Sequence, residues 1–377
     1  MPHIVETAAA PPRALTSSPR ASLPPVPAPP AIAPVAPSAA ERARWYEPFD
    51  PGYLRDFGRE VLAPISDHYF RPRLVGAERL PRDGPAILAS NHSGNCLPYD
   101  GIVLAMLLWR REGMKASAMV RTVFEKGLTL AWWLRPCGMD NIYRRGGGVD
   151  MTFDNFERLL LGGERVLYFP EGVPGIGKGF QNRYRLQPFH TSFVTLALRH
   201  GVPVHPLYTV NAEWVMPYHF TIHALDRVMQ RVFRVPFLPL PAGILAILWP
   251  WLWFLALPAN MVFVVGEALD VRAIAREAGV ATLENPTREE AGRVAERIRA
   301  RMQAELDRHV AAYGKHAYDP RSLWRALRTA GRRIWRVLPT GWPVAFQRFD
   351  RDRARPPARS RLHAILRDWD LLAFYIP

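Results

Sequence analysis

Between residues 74 and 270 short apolar runs alternate with stretches whose apolar positions recur every three or four residues. The runs predict strands at 74–78, 86–89, 118–120, 166–169, 202–210 and 261–265. Helical periodicity falls between several of them, at 101–111, 150–162 and 189–200. Strands alternating with helices imply an α/β sheet covered on both faces. No internal repeat is present.

The flanks follow other patterns. Residues 1–42 are rich in Pro and Ala, lack periodicity, and are expected to be disordered. They hold no long apolar core behind a basic start, which argues against a secretory signal, while Arg13, Arg20 and the serines leave a transit peptide open. Within 43–70, Asp50-Pro51 reads as a helix cap followed by proline at the first helical position. Tyr53, Leu54, Phe57, Val61 and Leu62 then recur at helical spacing, which suits a packing helix or one that faces a membrane. Thr287-Arg-Glu-Glu290 is a capping box that opens an amphipathic helix through Val294, Ile298, Met302, Leu306 and Val310, closed by Gly314.

Two further segments are amphiphilic. Residues 235–258 contain no charge in 24 positions, and Trp249, Trp251 and Trp253 cluster there. The length would span a bilayer, but five prolines interrupt it, and the strands on either side should join one sheet. A monotopic or re-entrant insertion reconciles these facts; a buried hydrophobic hairpin is the alternative. In the tail, Leu323, Trp324, Leu327, Ile334, Trp335 and Leu338 share a helical face opposite Arg325, Arg328, Arg332 and Arg336. Leu362, Ile365, Leu366, Trp369 and Leu372 repeat the pattern. Such a tail either lies on an anionic membrane surface or docks on the folded domain. The expected organisation is therefore a disordered segment (1–42), an N-terminal helix (43–70), a central domain (71–318) and a basic amphipathic tail (319–377).

Composition sharpens this picture. The 377 residues are 49% hydrophobic and 22% charged, enough for a substantial core. Net charge is +15, which favours anionic partners such as acidic lipid, phosphorylated substrates or nucleic acid. Residues 321–377 carry thirteen arginines and four aspartates, so nine of those charges sit in the tail. No nucleic-acid-binding motif accompanies them, and the charge lies beside apolar helical faces, so nucleic acid is not an expected partner. Cys96 and Cys137 form neither a disulfide framework nor a zinc pattern.

Three stretches carry candidate chemistry. The run 86–89 ends in Ser90-Asn91-His92-Ser93-Gly94, and Asp100 stands where the next helix should be capped. A histidine at a strand's carboxyl end with a carboxylate to orient it is the minimal general base, in the crevice where α/β sheets bind ligands. A hydrogen-bonded loop histidine and an ordinary cap are the plain alternatives. Tyr168-Phe-Pro-Glu-Gly-Val-Pro-Gly-Ile-Gly-Lys178 also follows a strand; its glycines and lysine look like a phosphate cradle, though not a P-loop, or else like a surface turn. Gly138 to Gly148 places Arg144 and Arg145 against a glycine run, which suits either an anion site or a solvated turn.

In this order along the chain, the three stretches resemble the PlsC-type glycerolipid acyltransferases, the group that includes 1-acyl-glycerol-3-phosphate acyltransferases. Asn91, His92 and Asp100 match its first motif; Gly138, Ile142 and Arg144 or Arg145 its second; Phe169-Pro-Glu-Gly172 its third; and Val202-Pro-Val-His-Pro206 its fourth. The likeness spans residues 70–315. One departure is that seven residues, Ser93 to Tyr99, separate His92 from Asp100, where the family usually has four. Ser93-Gly94-Asn95-Cys96-Leu97-Pro98 looks like the insert of a related branch.

The resemblance implies a mixed sheet flanked by helices and a membrane-associated O-acyltransferase on the cytoplasmic face. His92 would deprotonate a glycerolipid or lysophospholipid hydroxyl, which attacks a thioester directly, while Asp100 holds the ring. Glu171 and Gly172 would place the acceptor, and Arg144, Arg145 and Lys178 would meet phosphate on the acceptor or on coenzyme A. The donor would be acyl-CoA or acyl carrier protein, the partners membrane lipids, and no metal or cofactor is implied. The opposing expectation is a catalytically inactive relative that binds lipid.

Overall fold

The computed structural model describes residues 49–369, apart from 82, 96, 114–119, 125–138, 234–236, 242, 245–248, 250–251, 253, 332–336 and 355–358. Expectations for residues 1–42, Cys96, Cys137, Gly138, Trp251, Trp253, Ile334, Trp335 and Leu372 lie outside the described residues.

Seven strands form one mixed sheet: β1 (Arg73–Val75), β2 (Ala86–Ser90), β3 (Arg121–Phe124), β4 (Gly148–Asp150), β5 (Arg165–Tyr168), β6 (Val204–Val210) and β9 (Val262–Val265), in the order β1-β9-β6-β2-β5-β3-β4. All neighbours are parallel except β6 and β9. In the centre, β2 lies between β5 (Leu88 opposite Leu167) and β6 (Leu88 opposite His205). Every residue of β2 and β6 is buried, as expected of strands covered on both faces.

Side chains of a strand alternate between faces, and β2 divides accordingly. Ala86 and Leu88 enter one core with Tyr53, Phe57, Leu104, Phe254 and Trp342. Ile87 and Ala89 enter the other with Phe156, Phe193, Ile274, Ile298 and Met302. The first face is covered by α1 (Pro51–Phe57), whose helical path continues to Phe70 through wider turns, and by α2 (Tyr99–Arg111). The second is covered by α4 (Phe153–Leu161), α6 (Ser192–His200), α8 (Val271–Glu277) and α9 (Arg288–Tyr313). The caps read at Asp50 and Thr287 form as expected. The Asp50 carboxylate accepts Tyr53 N–H at 2.8 Å, and Thr287 and Glu290 complete a reciprocal box.

Several expectations shift. The third strand is described at Arg121–Phe124, residues 118–119 of the expected run lying outside the described residues, and β4 has no apolar run to announce it, being three residues beside a glycine run. The first strand stops at Val75 because Gly76 turns the chain at φ +73°. Asp100 is not a cap residue; it sits inside the first turn of α2.

Some of the described residues of the amphiphilic segments are tied down. Strands β6 and β9 do join one sheet across the hydrophobic segment. That segment opens with Phe237 buried and pairs β8 (Leu240–Pro241) with β7 (His219–Phe220). It closes with Phe254 and Ala256 buried, their carbonyls accepting the hydroxyls of Tyr99 (2.9 Å) and Tyr69 (2.6 Å). No described helix is long and apolar enough to cross a membrane. The tail docks in part. Helix α10 (Pro320–Ala330) lays Leu323 and Leu327 against the first core, and α11 (Trp342–Ala354) buries Trp342, Phe346 and Phe349 there. The rings of Phe346 and Phe57 lie 5.3 Å apart, and those of Trp342 and Tyr99 5.0 Å apart. The N-terminal helix is thus a packing helix, roofed by the tail, because each supplies the aromatic face the other lacks.

Trp342, 1% exposed, is the largest fully buried side chain among the described residues. Its truncation to alanine is expected to cost about 3–5 kcal/mol of stability, the usual range for a buried aromatic. Urea unfolding of Trp342→Ala measures it; a loss near zero would show that α11 does not belong to the folded unit.

Candidate active site

Three adjacent parallel strands, β6, β2 and β5, end at the same edge of the sheet. Their carboxyl ends deliver Asn211, Asn91-His92 and Glu171 to one crevice, the position where open α/β sheets bind ligands. Asn91 fastens two of these ends together. Its amide oxygen accepts Thr209 N–H at 2.7 Å and its amide nitrogen donates to the Thr209 carbonyl at 3.1 Å.

His92 follows at once, and its side chain is only 6% exposed. The ring stacks on Phe169 with centroids 3.8 Å apart and planes 11° apart. Its Nδ1 lies 3.1 Å from Asp100 Oδ2, which also accepts Ser93 N–H at 2.9 Å. The seven-residue gap therefore does not separate the pair. The insert turns at Gly94 (φ +76°), buries Leu97 and Tyr99, and is tied down by Asn95, whose amide donates to the Ala212 carbonyl at 2.9 Å.

Burial by itself raises the Asp100 carboxyl, but the His92 charge and hydrogen bond, with Ser93 N–H, outweigh it and hold the group below the usual carboxylate range. An ionised Asp100 facing Nδ1 selects the tautomer protonated there. That leaves Nε2 with a free lone pair, the arrangement of a general base.

Glu171 is buried and grips two backbone N–H groups, His92 at 2.8 Å and Gln187 at 2.7 Å. Lys178 is 1% exposed; its Nζ donates to the His92 carbonyl at 2.5 Å and lies 3.6 Å from Glu171 Oε2. The ammonium expected to meet phosphate is thus turned inward, because two buried polar groups take it first. Gly172 has φ +55°, and a side chain there would meet the His190 ring at 2.9 Å. Arg144 and Arg145 end α3 (Met139–Arg145). Arg145 pairs with Asp50 at 2.6 Å and lies over the Tyr53 ring, while Arg144 is 3.7 Å from Asp150. Those contacts run to α1 and β4 rather than to His92.

Two residues of the site were not anticipated. Phe169 carries the imidazole stack, which its place in Phe-Pro-Glu-Gly does not reveal. Glu213 lies just past β6, and that position, shared with His92 and Glu171 behind their own strands, is the one signal that could have found it. Burial pushes its carboxyl up to about 8, although the Lys178 charge acts in the opposite direction.

Residues 71–210 match the family model described as Acyltransferase. Curated relatives include uncharacterized proteins of Mycobacterium tuberculosis, 31% identical over 51% of this chain and 51% of theirs, and of Mycobacterium leprae, 31% identical over 54% of each. The chain spans about half the length of these relatives. The crystal structure of the 1-acyl-sn-glycerophosphate acyltransferase PlsC from Thermotoga maritima aligns with a TM-score of 0.38 and 18% identity, over 67% of this chain and 79% of that one. That likeness is too low to transfer any residue role.

The raised Glu213 carboxyl makes a pH prediction. A folded-state pKa above the unfolded value near 4.5 gives stability that is complete below 4.5 and lost as pH rises toward about 8. Glu213→Gln removes that loss. Its stability relative to the native chain should therefore rise between pH 4.5 and pH 8, as read from urea midpoints at both values. A parallel pH dependence in the two proteins would mean that Glu213 is not held neutral.

Proposed function

We propose that the chain is a membrane-associated O-acyltransferase that moves a fatty acyl group from a thioester, acyl-CoA or acyl carrier protein, to a hydroxyl of a glycerolipid or lysophospholipid. The observation that carries this reading is the buried His92–Asp100 pair, 3.1 Å apart, at the end of β2 inside the acyltransferase-family region. His92 Nε2 takes the acceptor's proton as its oxygen attacks the thioester carbonyl, and Asp100 stabilises the imidazolium that forms. The thiolate of the donor leaves and takes up the proton. Because the thioester is already activated, this route draws on no metal or nucleotide.

His92→Ala is expected to lower acyl transfer about 10²–10⁴-fold while the fold survives. The assay follows labelled acyl-CoA into membrane lipid extracts, with circular dichroism as the check on folding. Near-normal turnover would sink the general-base role, and no turnover in the native chain would favour a lipid-binding protein that has lost catalysis.

The membrane reading draws on apolar side chains that the fold leaves in solvent. One group is Ile222 and Ile244, with Val228 and Val232 one turn apart on α7 (His223–Phe233), next to exposed Arg227 and Arg231. A second is Leu362, Leu366 and Trp369, around α12 (Arg361–Arg367), each 60% exposed or more. Apolar burial resists salt, whereas attraction to acidic headgroups is screened. The protein is expected to stay with anionic vesicles in about 1 M salt, where the screening length is near 3 Å. Replacing Leu362, Leu366 and Trp369 with serine should weaken binding without unfolding the domain. Release of the native chain by salt alone would contradict apolar insertion.

A further inference from the structure

We infer that Lys178 is a positioning residue for His92, acting on the backbone of the histidine and not on a phosphate. This assignment rests on the acyltransferase reading for its kinetic consequences but not for its geometry. The His92 peptide is held from two directions. Its N–H donates to Glu171 Oε1 at 2.8 Å, and its carbonyl accepts Lys178 Nζ at 2.5 Å. The two gripping side chains are themselves 3.6 Å apart and fully buried. They form a clamp closed around one residue, and that residue bears the imidazole.

The environment leaves Lys178 no other use. Its stem packs against Gly94, where an added Cβ would come within 2.8 Å of Lys178 Cγ. Its own carbonyl accepts the amide of Asn182 at 2.9 Å and the hydroxyl of Thr221 at 3.3 Å, which fixes the chain at the root of the side chain. A buried ammonium needs a compensating charge and filled hydrogen-bond sites, and Glu171 and the His92 carbonyl supply them. Swinging out to a solvent-borne phosphate would strand Glu171 as an unpaired buried carboxylate. Such a separation costs more than an exposed phosphate contact returns.

What the clamp sets is the reach of the ring. The His92 side chain must meet Asp100 through Nδ1 while presenting Nε2, with Phe169 fixing its plane. A shift of about 1 Å in a catalytic group can cost 10²-fold in rate. The carbonyl bond from Lys178 opposes that shift on the side where Glu171 does not act.

The test uses the full chain labelled with ¹⁵N-histidine, with the His92 ring signals assigned by their loss in His92→Ala. With the ring neutral, the native chain should show His92 protonated at Nδ1, the tautomer that Asp100 selects. In Lys178→Met that preference should collapse toward the Nε2-protonated form of free imidazole. In parallel, kcat for transfer from acyl-CoA should fall about 10²-fold with KM for acyl-CoA unchanged. Because Lys178→Met leaves Glu171 unpaired and can impair folding, a second variant combines it with Glu171→Gln. That change removes both charges yet keeps an amide oxygen to accept His92 N–H. The tautomer should remain lost in the double variant. Native tautomer in the double variant would mean that Lys178 acts only by neutralising Glu171, and would overturn the assignment. So would native tautomer in Lys178→Met, or a raised KM with unchanged kcat, the signature of a phosphate contact. A tautomer lost as expected in a chain with no acyl transfer would uphold the positioning role and refute the acyltransferase reading instead.

Discussion

Buried charge governs this site. Asp100, Glu171, Glu213 and Lys178 all lie behind the carboxyl ends of β2, β5 and β6, each 1% exposed or less. Ionised groups there persist only where a partner and hydrogen bonds replace water. Asp100 finds His92 and the Ser93 amide; Glu171 finds two amides and Lys178; Glu213 finds too little and is held neutral by burial. The packing around them follows. At Gly175 a side chain would sit 2.5 Å from Glu171 Cβ and 3.0 Å from His92 Cβ, so a residue without one lets the loop after β5 lie over the histidine.

The same constraint accounts for the insert between His92 and Asp100. Extra residues would separate the pair if they lengthened the path between strand and helix. They fold back instead, with Ser93 N–H on the carboxylate, Asn95 tied to the 3₁₀ turn after β6, and Leu97 in the core. The insert also joins the pair to the 212–221 segment that leads into β7 and α7. The exposed apolar surface therefore grows out of the wall of the site.

The periphery shows the hydrophobic effect dividing one amphipathic tail between two fates. Phe346 and Phe349 are covered because Phe57 and Tyr53 present a matching aromatic face. Leu362, Leu366 and Trp369 meet no such face and remain in solvent. Helical periodicity marked Leu362, Leu366 and Trp369 in the sequence but not Phe346 and Phe349, and periodicity does not tell a docked stripe from an exposed one. The fold's own inventory of open apolar surface decides which stripe docks.

Local chemistry was legible in the sequence. The apolar runs of β2 and β6, the Asp50-Pro51 start of α1 and the Thr287–Glu290 box of α9 depend on neighbours along the chain, and each forms where its pattern lies. Three residue-long strands such as β4 were not legible, because pairing with β3 rather than an apolar run makes them. In the site, His92 and Glu171 stood out by residue type behind strands and Asp100 at a helix start, and the meeting of His92 with Asp100 across the insert was open until the loop closed. The direction of Lys178 was decided only once the His92 carbonyl came alongside it. A glycine-rich loop with a lysine reads as an outward cradle, and Glu171, seven residues earlier in the same stretch, does not by itself say which way the ammonium turns. Of the two groups that take it, Glu171 shares the loop after β5, while the His92 carbonyl arrives from behind β2. Only the parallel register that brings those ends together makes the inward position the lower in free energy.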